Sequence, residues 1–247
     1  MRAFTPGRNA TIVVLLAIWI ATALAFDRHA SLWQQHGLGA ITVVFLACLL
    51  AGETPAVRRQ VFVAAVFATI GEFLAAPLLG FYTYRLDNVP AFVPPGHGLV
   101  YLAAIAAARA DLAQRWSRVV CATALTAGGA WAIWGAWIAP TPDLFGLLLF
   151  VLFALFVLRG RAPLVYACAF FITAFLELYG TALGTWTWAA TEPTGTLGMG
   201  NPPSGIAAAY CVVDWVALRI TRRLAIKAPQ WRAAFPSPAR AVRRVRR

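Results

Sequence analysis

Charge is scarce in this 247-residue sequence: Asp and Glu together number nine, and only 12% of residues are charged, against about 25% in an ordinary soluble domain. With 61% hydrophobic residues and a mean hydropathy of +0.71, that scarcity excludes a soluble globular enzyme, a disordered chain and a coiled coil. Cysteine is sparse too. Cys48, Cys121, Cys168 and Cys211 all fall inside apolar segments and form no C-x-x-C, so they point to neither a disulfide framework nor a metal site. There are three histidines and no His/Cys/Asp cluster with ligand spacing, so no metal or cofactor is expected. A Walker loop, G-x-S-x-G, H-E-x-x-H and a dinucleotide fingerprint are all missing. Their absence sets aside ATP-driven transport and nicotinamide chemistry.

What the chain does have is a series of apolar runs, each close to the ~20 residues that span a bilayer as helix. Eight can be read, at roughly 11–26, 38–52, 60–82, 97–110, 118–138, 144–158, 163–184 and 204–219. The expected fold class is therefore all-α, a polytopic membrane helix bundle of about eight transmembrane helices. The distribution of basic residues tests that count. With both termini in the cytoplasm, 19 of the 21 Lys and Arg lie inside, and only Arg28 and Arg85 fall outside. The expected location is the cell membrane (an inner membrane), multi-pass.

The net charge of +12 is concentrated late: ten basic residues run from Arg219 to Arg247. A basic tail after a last membrane helix reads as an anchor on anionic lipid headgroups rather than as a nucleic-acid site. Membrane lipids are thus the expected partners, no nucleic acid is expected, and a homo-oligomer is left open. Arg2, Arg8, the first apolar run and Ala23-Leu24-Ala25 resemble a cleavable signal peptide, but an internal repeat favours retention of that first span.

The repeat is visible by eye. Glu72 is followed by Gly80-Phe-Tyr82-Thr-Tyr84 and then by Pro94-Pro95-Gly96-His97; Glu177 is followed by Gly184-Thr-Trp186-Thr-Trp188 and then by Asn201-Pro202-Pro203. The offsets are 105 at the glutamates, 104 at the aromatics and 108 at the prolines. The domain reading that follows is a first four-helix repeat at 1–112, a second at 113–228 and a basic cytoplasmic tail at 229–247. Four helices per unit make the repeat parallel, with a site between the third and seventh helices.

Glu72 and Glu177 are the leading site candidates. A carboxylate near mid-span costs about 2.5–3.5 kcal/mol on insertion scales, so each must be neutral or held by donors within the bundle. Tyr179, Thr173 and Thr181 are the expected donors to Glu177, and Tyr82 or Tyr84 to Glu72. The alternative is that both glutamates are interhelical glue. Tyr82, Tyr84, Trp186 and Trp188 read either as an interfacial belt or as site lining. Two residues apart on a helix they point about 200° apart, so they share a face only if the backbone is extended. Gly180 and Gly184 form a Gly-x-x-x-Gly pattern that suits close helix approach. His97, beside the Pro-Pro turn, is a candidate proton donor or a helix-start hydrogen bonder. Asn201 caps the eighth helix or adds an amide to the site, and Asp214 reads as ion-paired with Arg219 or inner headgroups.

The pattern Glu72…Gly80-Phe-Tyr82-Thr-Tyr84…Val89-Pro90 resembles the membrane proteins of carotenoid biosynthesis, the bacterial carotenoid hydratase and lycopene cyclase-like group. The resemblance covers about 35 residues per half. It implies acid-catalysed chemistry on a polyene: a neutral glutamic acid protonates a C=C bond, aromatic faces stabilise the cation, and water or an internal alkene captures it. The reading is a membrane-embedded enzyme acting on a lipid or isoprenoid, with Glu72, Glu177 and His97 as catalytic candidates. Tyr82, Tyr84, Tyr179, Trp186, Trp188 and Asn201 are the substrate-binding candidates. A small proton- or cation-coupled transporter and a membrane scaffold remain the alternatives.

Overall fold

A computed structural model describes residues 6–234, with side chains for 7–222. It is mostly helical. The order is α1 (Pro6–Asp27), α2 (Leu32–Ala51), α3 (Pro55–Phe73) prolonged by a π-helical turn (Leu74–Leu78), β1 (Tyr82–Tyr84), α4 (Val93–Arg109) and α5 (Asp111–Arg115). Then come α6 (Ser117–Trp137), α7 (Leu144–Arg159), α8 (Pro163–Ala182), β2 (Trp186–Trp188) and α9 (Ala208–Ala234). Each of the eight apolar runs thus contains a helix. Five of the described helices are long and apolar enough to cross a membrane, and α7 is a shorter apolar one. Of the expected tail, residues 235–247, which carry five of its arginines, lie outside the described residues.

Local chemistry sets the helix ends. Ser31 and Gln34 form a reciprocal capping box at the start of α2, which satisfies two otherwise orphaned N–H groups. Thr54 caps α3, with Pro55 in the first turn, where no N–H is needed. Pro77 lacks an N–H and would clash inside a regular helix; it sits in the wider π-helical turn that closes α3. Gly80 and Gly184 both adopt left-handed backbone, at φ 72° and 70°, where a side chain would be strained. Each ends a helix and turns the chain into a strand. The Gly-x-x-x-Gly reading is therefore corrected: Gly184 is a turn. Gly180 packs against the Trp186 ring, which a Cβ there would overlap.

The centre of the bundle is α4. Residues 98–106 are buried without a break, so this helix is apolar all round because protein, not lipid, surrounds it. It packs on α1, α2, α3 and α8. The outer helices instead expose large apolar side chains, including Phe62, Val44, Leu148 and Leu158, which is how a membrane protein meets lipid.

The two strands meet as an antiparallel ribbon at one end of the bundle, pairing Tyr82 with Trp188, Thr83 with Thr187 and Tyr84 with Trp186. Loop contacts fix its position. Arg85 donates to the Asp27 carbonyl at 2.8 Å, which ties the ribbon to the α1–α2 turn. Asp143 accepts from the amides of Gly146, Gly200 and Ser204 at 2.8–2.9 Å, holding the approach to α9 against the start of α7. Beyond β2, side-chain and backbone hydrogen bonds from Thr194, joined by those from Thr196, keep the Glu192 carboxyl at about 2. At the other end, Glu53 joins Arg8 at 2.8 Å and Arg109 at 3.3 Å, clasping α1 and α4.

The ribbon register is open to a direct check. Thr83 and Thr187 are exposed partners at a spacing of about 5.5 Å between Cα atoms, within disulfide reach. Thr83→Cys with Thr187→Cys should crosslink within one chain on mild oxidation, while Thr83→Cys with Ala189→Cys should not. Preferential crosslinking of the second pair would place the register two residues away.

Candidate functional site

The ribbon makes the site. Strand residues two apart point to the same side, so Tyr82 and Tyr84 face the bundle together, as do Trp186 and Trp188. All four are buried, while Thr83 and Thr187 face out. The backbone bond from Ala189 N–H to the Phe81 carbonyl puts the aromatic pairs at the non-hydrogen-bonded positions, where facing side chains come closest. Tyr82 lies 4.5 Å from Trp188 between ring centroids, and Tyr84 lies 6.1 Å from Trp186. The extended backbone settles the question of the aromatic spacing: the four rings form one cluster, inclined to one another at 46–76°.

Glu72 stands in the last turn of α3, beneath those rings and 7% exposed. Its Oε1 accepts from the Tyr82 hydroxyl at 2.6 Å and the Tyr84 hydroxyl at 2.7 Å. His97, in the second turn of α4, places Nε2 3.2 Å from Oε2. Its Nδ1 is 3.0 Å from the Tyr210 hydroxyl of α9. With Glu72 ionised, Nε2 is the donor, and a neutral ring then accepts from Tyr210 through Nδ1.

Glu177 mirrors this on α8. Its Oε2 accepts from the indole N–H of Trp186 at 2.9 Å and of Trp188 at 3.1 Å. Indole is a donor only, so the direction of both bonds is fixed. Oε1 has no donor among the described residues. One turn earlier on α8, the buried Thr173 hydroxyl has no partner either. Such orphaned polar atoms normally mark a place for water or a ligand group.

All these groups line one cavity of about 160 Å³, roofed by the four ribbon rings and walled by apolar side chains of α1, α4 and α8, such as Leu16, Ile20, Leu99 and Leu176. It is large enough for a segment of a chain-like molecule rather than the whole of one. Among the described residues no group of three or more His, Cys, Asp or Glu could hold a metal ion.

The structure therefore brings Glu72, Glu177, His97, Tyr82, Tyr84, Trp186 and Trp188 together. Two candidates lie elsewhere. Tyr179 donates to the Ala21 carbonyl at 3.3 Å and does not line the cavity, because its ring points to α1. Asn201 does not cap a helix, since α9 begins at Ala208; its side-chain oxygen accepts from the Trp188 amide at 3.0 Å and so steadies β2. Thr181 bonds back to its own helix at the Glu177 carbonyl, so the donors to Glu177 are the indoles instead. Asp214 is not ion-paired with Arg219. It accepts from the Tyr101 hydroxyl at 2.7 Å, while the Arg219 guanidinium lies over the Trp215 ring. Tyr210 escaped the sequence reading; its one signal is that it is the only phenol in the last apolar run.

Hydrogen bonds to a charged acceptor are worth about 1.5–3 kcal/mol. Tyr82→Phe should lower stability by that order in the presence of Glu72 and by clearly less in a Glu72→Gln background, measured by thermal unfolding in detergent. Additive losses would separate the phenol from the carboxylate. Compared with protein-family models, curated proteins and solved structures, the chain matches none, so the site geometry carries the functional argument.

Proposed function

We propose that this chain is a membrane-embedded enzyme acting on an unsaturated lipid or isoprenoid. In this reading it has eight spans in two parallel four-helix halves, 1–112 and 113–228, with both termini cytoplasmic in the cell membrane. The observation that carries the proposal is that two glutamates from different halves, each held by its own aromatic pair, face one apolar cavity. Structural glue alone gives no reason for a cavity between them. The approximate two-fold match of the ribbon, Tyr82 to Trp188 and Tyr84 to Trp186, supports the duplicated architecture.

The chemistry this arrangement suits is proton transfer to carbon. One carboxylic acid, Glu177 through its donor-free Oε1, gives its proton to a C=C bond; the π electrons form the new C–H bond and leave a carbocation. The ring faces of Tyr82, Tyr84, Trp186 and Trp188 attract that cation through their quadrupoles. The second carboxylate, Glu72, takes the proton released when the cation loses an adjacent hydrogen or captures water. His97 orients Glu72 and links it to Tyr210. No electrons enter or leave overall, in keeping with a site built from acids, bases and rings. Two carboxyl groups with divided roles are a recurring way to run such chemistry.

Lipid-extract mass spectrometry of cells tests the proposal. A lipid or isoprenoid should accumulate, and its product disappear, both in a deletion and in Glu72→Gln with Glu177→Gln. Unchanged lipids, with the mutant protein folded at normal abundance, would overturn the enzyme reading and move the glutamates to proton or cation flux.

A further inference from the structure

Away from the ribbon, a second cavity of about 430 Å³ opens where the end of α7, the α7–α8 turn and α9 come together. Four arginines line it: Arg159 ends α7, Arg161 lies in the turn, and Arg219 and Arg222 stand on α9. Residues three apart share a helix face, so the last two point into the same space. None of the four is within ion-pair distance of a carboxylate among the described residues. Arg219 is instead held over Trp215, its central carbon 4.2 Å from the ring centroid.

The cavity is shaped by the turn at Gly160. A Cβ there would overlap both the Phe156 carbonyl and the buried Tyr166 ring, so the chain passes tightly over Tyr166 and carries an arginine on each side. The remaining wall is apolar and open: Leu152 and Leu155 on α7 and Trp215 on α9 line the cavity and are exposed. A cationic pocket at one end of an apolar, outward-facing crevice has the polarity of a phospholipid.

We propose that this cavity binds one anionic glycerophospholipid, its phosphate held by Arg159, Arg161, Arg219 and Arg222 and its acyl chains lying along Leu152 and Leu155. Guanidinium groups match phosphate oxygens bidentately. A lipid with no compensating amine neutralises more of the clustered charge than a zwitterionic one. The crevice favours a lipid over a free phosphate compound, because free phosphate leaves the leucine wall uncovered. This site is separate from the glutamate cavity, involves none of residues 229–247 and does not depend on the enzyme reading.

Native mass spectrometry of the full-length purified protein in detergent tests it. The probes are phosphatidylglycerol, phosphatidylcholine and glycerol 3-phosphate. One phosphatidylglycerol should bind about tenfold or more tighter than phosphatidylcholine, since each basic residue near an anionic lipid is worth about fivefold. Arg159→Gln with Arg219→Gln should lose at least that factor, and Arg161→Gln, a milder change in an exposed turn, about fivefold. Arg115→Gln with Arg118→Gln removes the same charge elsewhere and should leave binding unchanged. Equal affinity for the two lipids, or an equal loss in the Arg115/Arg118 control, would overturn the site. Displacement of phosphatidylglycerol by equimolar glycerol 3-phosphate would overturn the lipid as its occupant.

Discussion

Two carboxylates inside an apolar bundle must be met by hydrogen-bond donors, and the rest of this structure follows from how they are met. The spans around them offer few donors. The chain solves this by leaving helix altogether: after α3 and again after α8 a left-handed glycine starts a three-residue strand, and the strand returns two aromatic donors to the glutamate left behind. A helix could not do this with residues two apart. A strand can, because its side chains alternate.

Pairing the strands then solves a second problem. A lone strand at the end of a bundle would leave backbone N–H and C=O groups without partners, which is costly beside lipid. Joined to each other, β1 and β2 pair the groups on their facing edges and gather both aromatic pairs into one cluster. The ring cluster in turn brings two carboxylates, one from each half of the chain, to one cavity. The loops serve this geometry: Asn201 holds the Trp188 amide, Arg85 ties β1 to the α1–α2 turn, and Asp143 fixes the approach to α9. Burial of α4 over residues 98–106 fixes Leu99 in the cavity wall, and the bonds to Glu72 and Tyr210 hold His97 beside it.

Much of this was legible in the sequence, for reasons that particular residues make plain. An acidic residue inside an apolar run is so unfavourable that Glu72 and Glu177 announce themselves, and the matching aromatic-Thr-aromatic steps mark the segments that serve them. What could not be read was the backbone that presents them. Tyr-Thr-Tyr and Trp-Thr-Trp are too short to show a period, so strand and helix end look alike until the partner strand is known. Local spacing also misled. Tyr179 and Thr181 are sequence neighbours of Glu177, but on a helix they face α1 and their own backbone, while the true donors lie nine and eleven residues on. Asp214 and Arg219 are similarly close in sequence yet meet other residues, Tyr101 and Trp215. Tyr210 was invisible because its role depends on α9 crossing α4 at His97, a contact between distant segments.

In the proposed reaction a carboxyl proton passes to carbon within this cavity, and isotope transfer probes that step. The measurement is mass spectrometry of product formed by the protein in proteoliposomes prepared in D2O, with the lipid that accumulates in the deletion strain as substrate. One non-exchangeable deuterium on carbon per turnover is expected in the wild type, and no product from Glu72→Gln with Glu177→Gln. Product formed without deuterium on carbon, or formed equally by the double variant, would rule that step out.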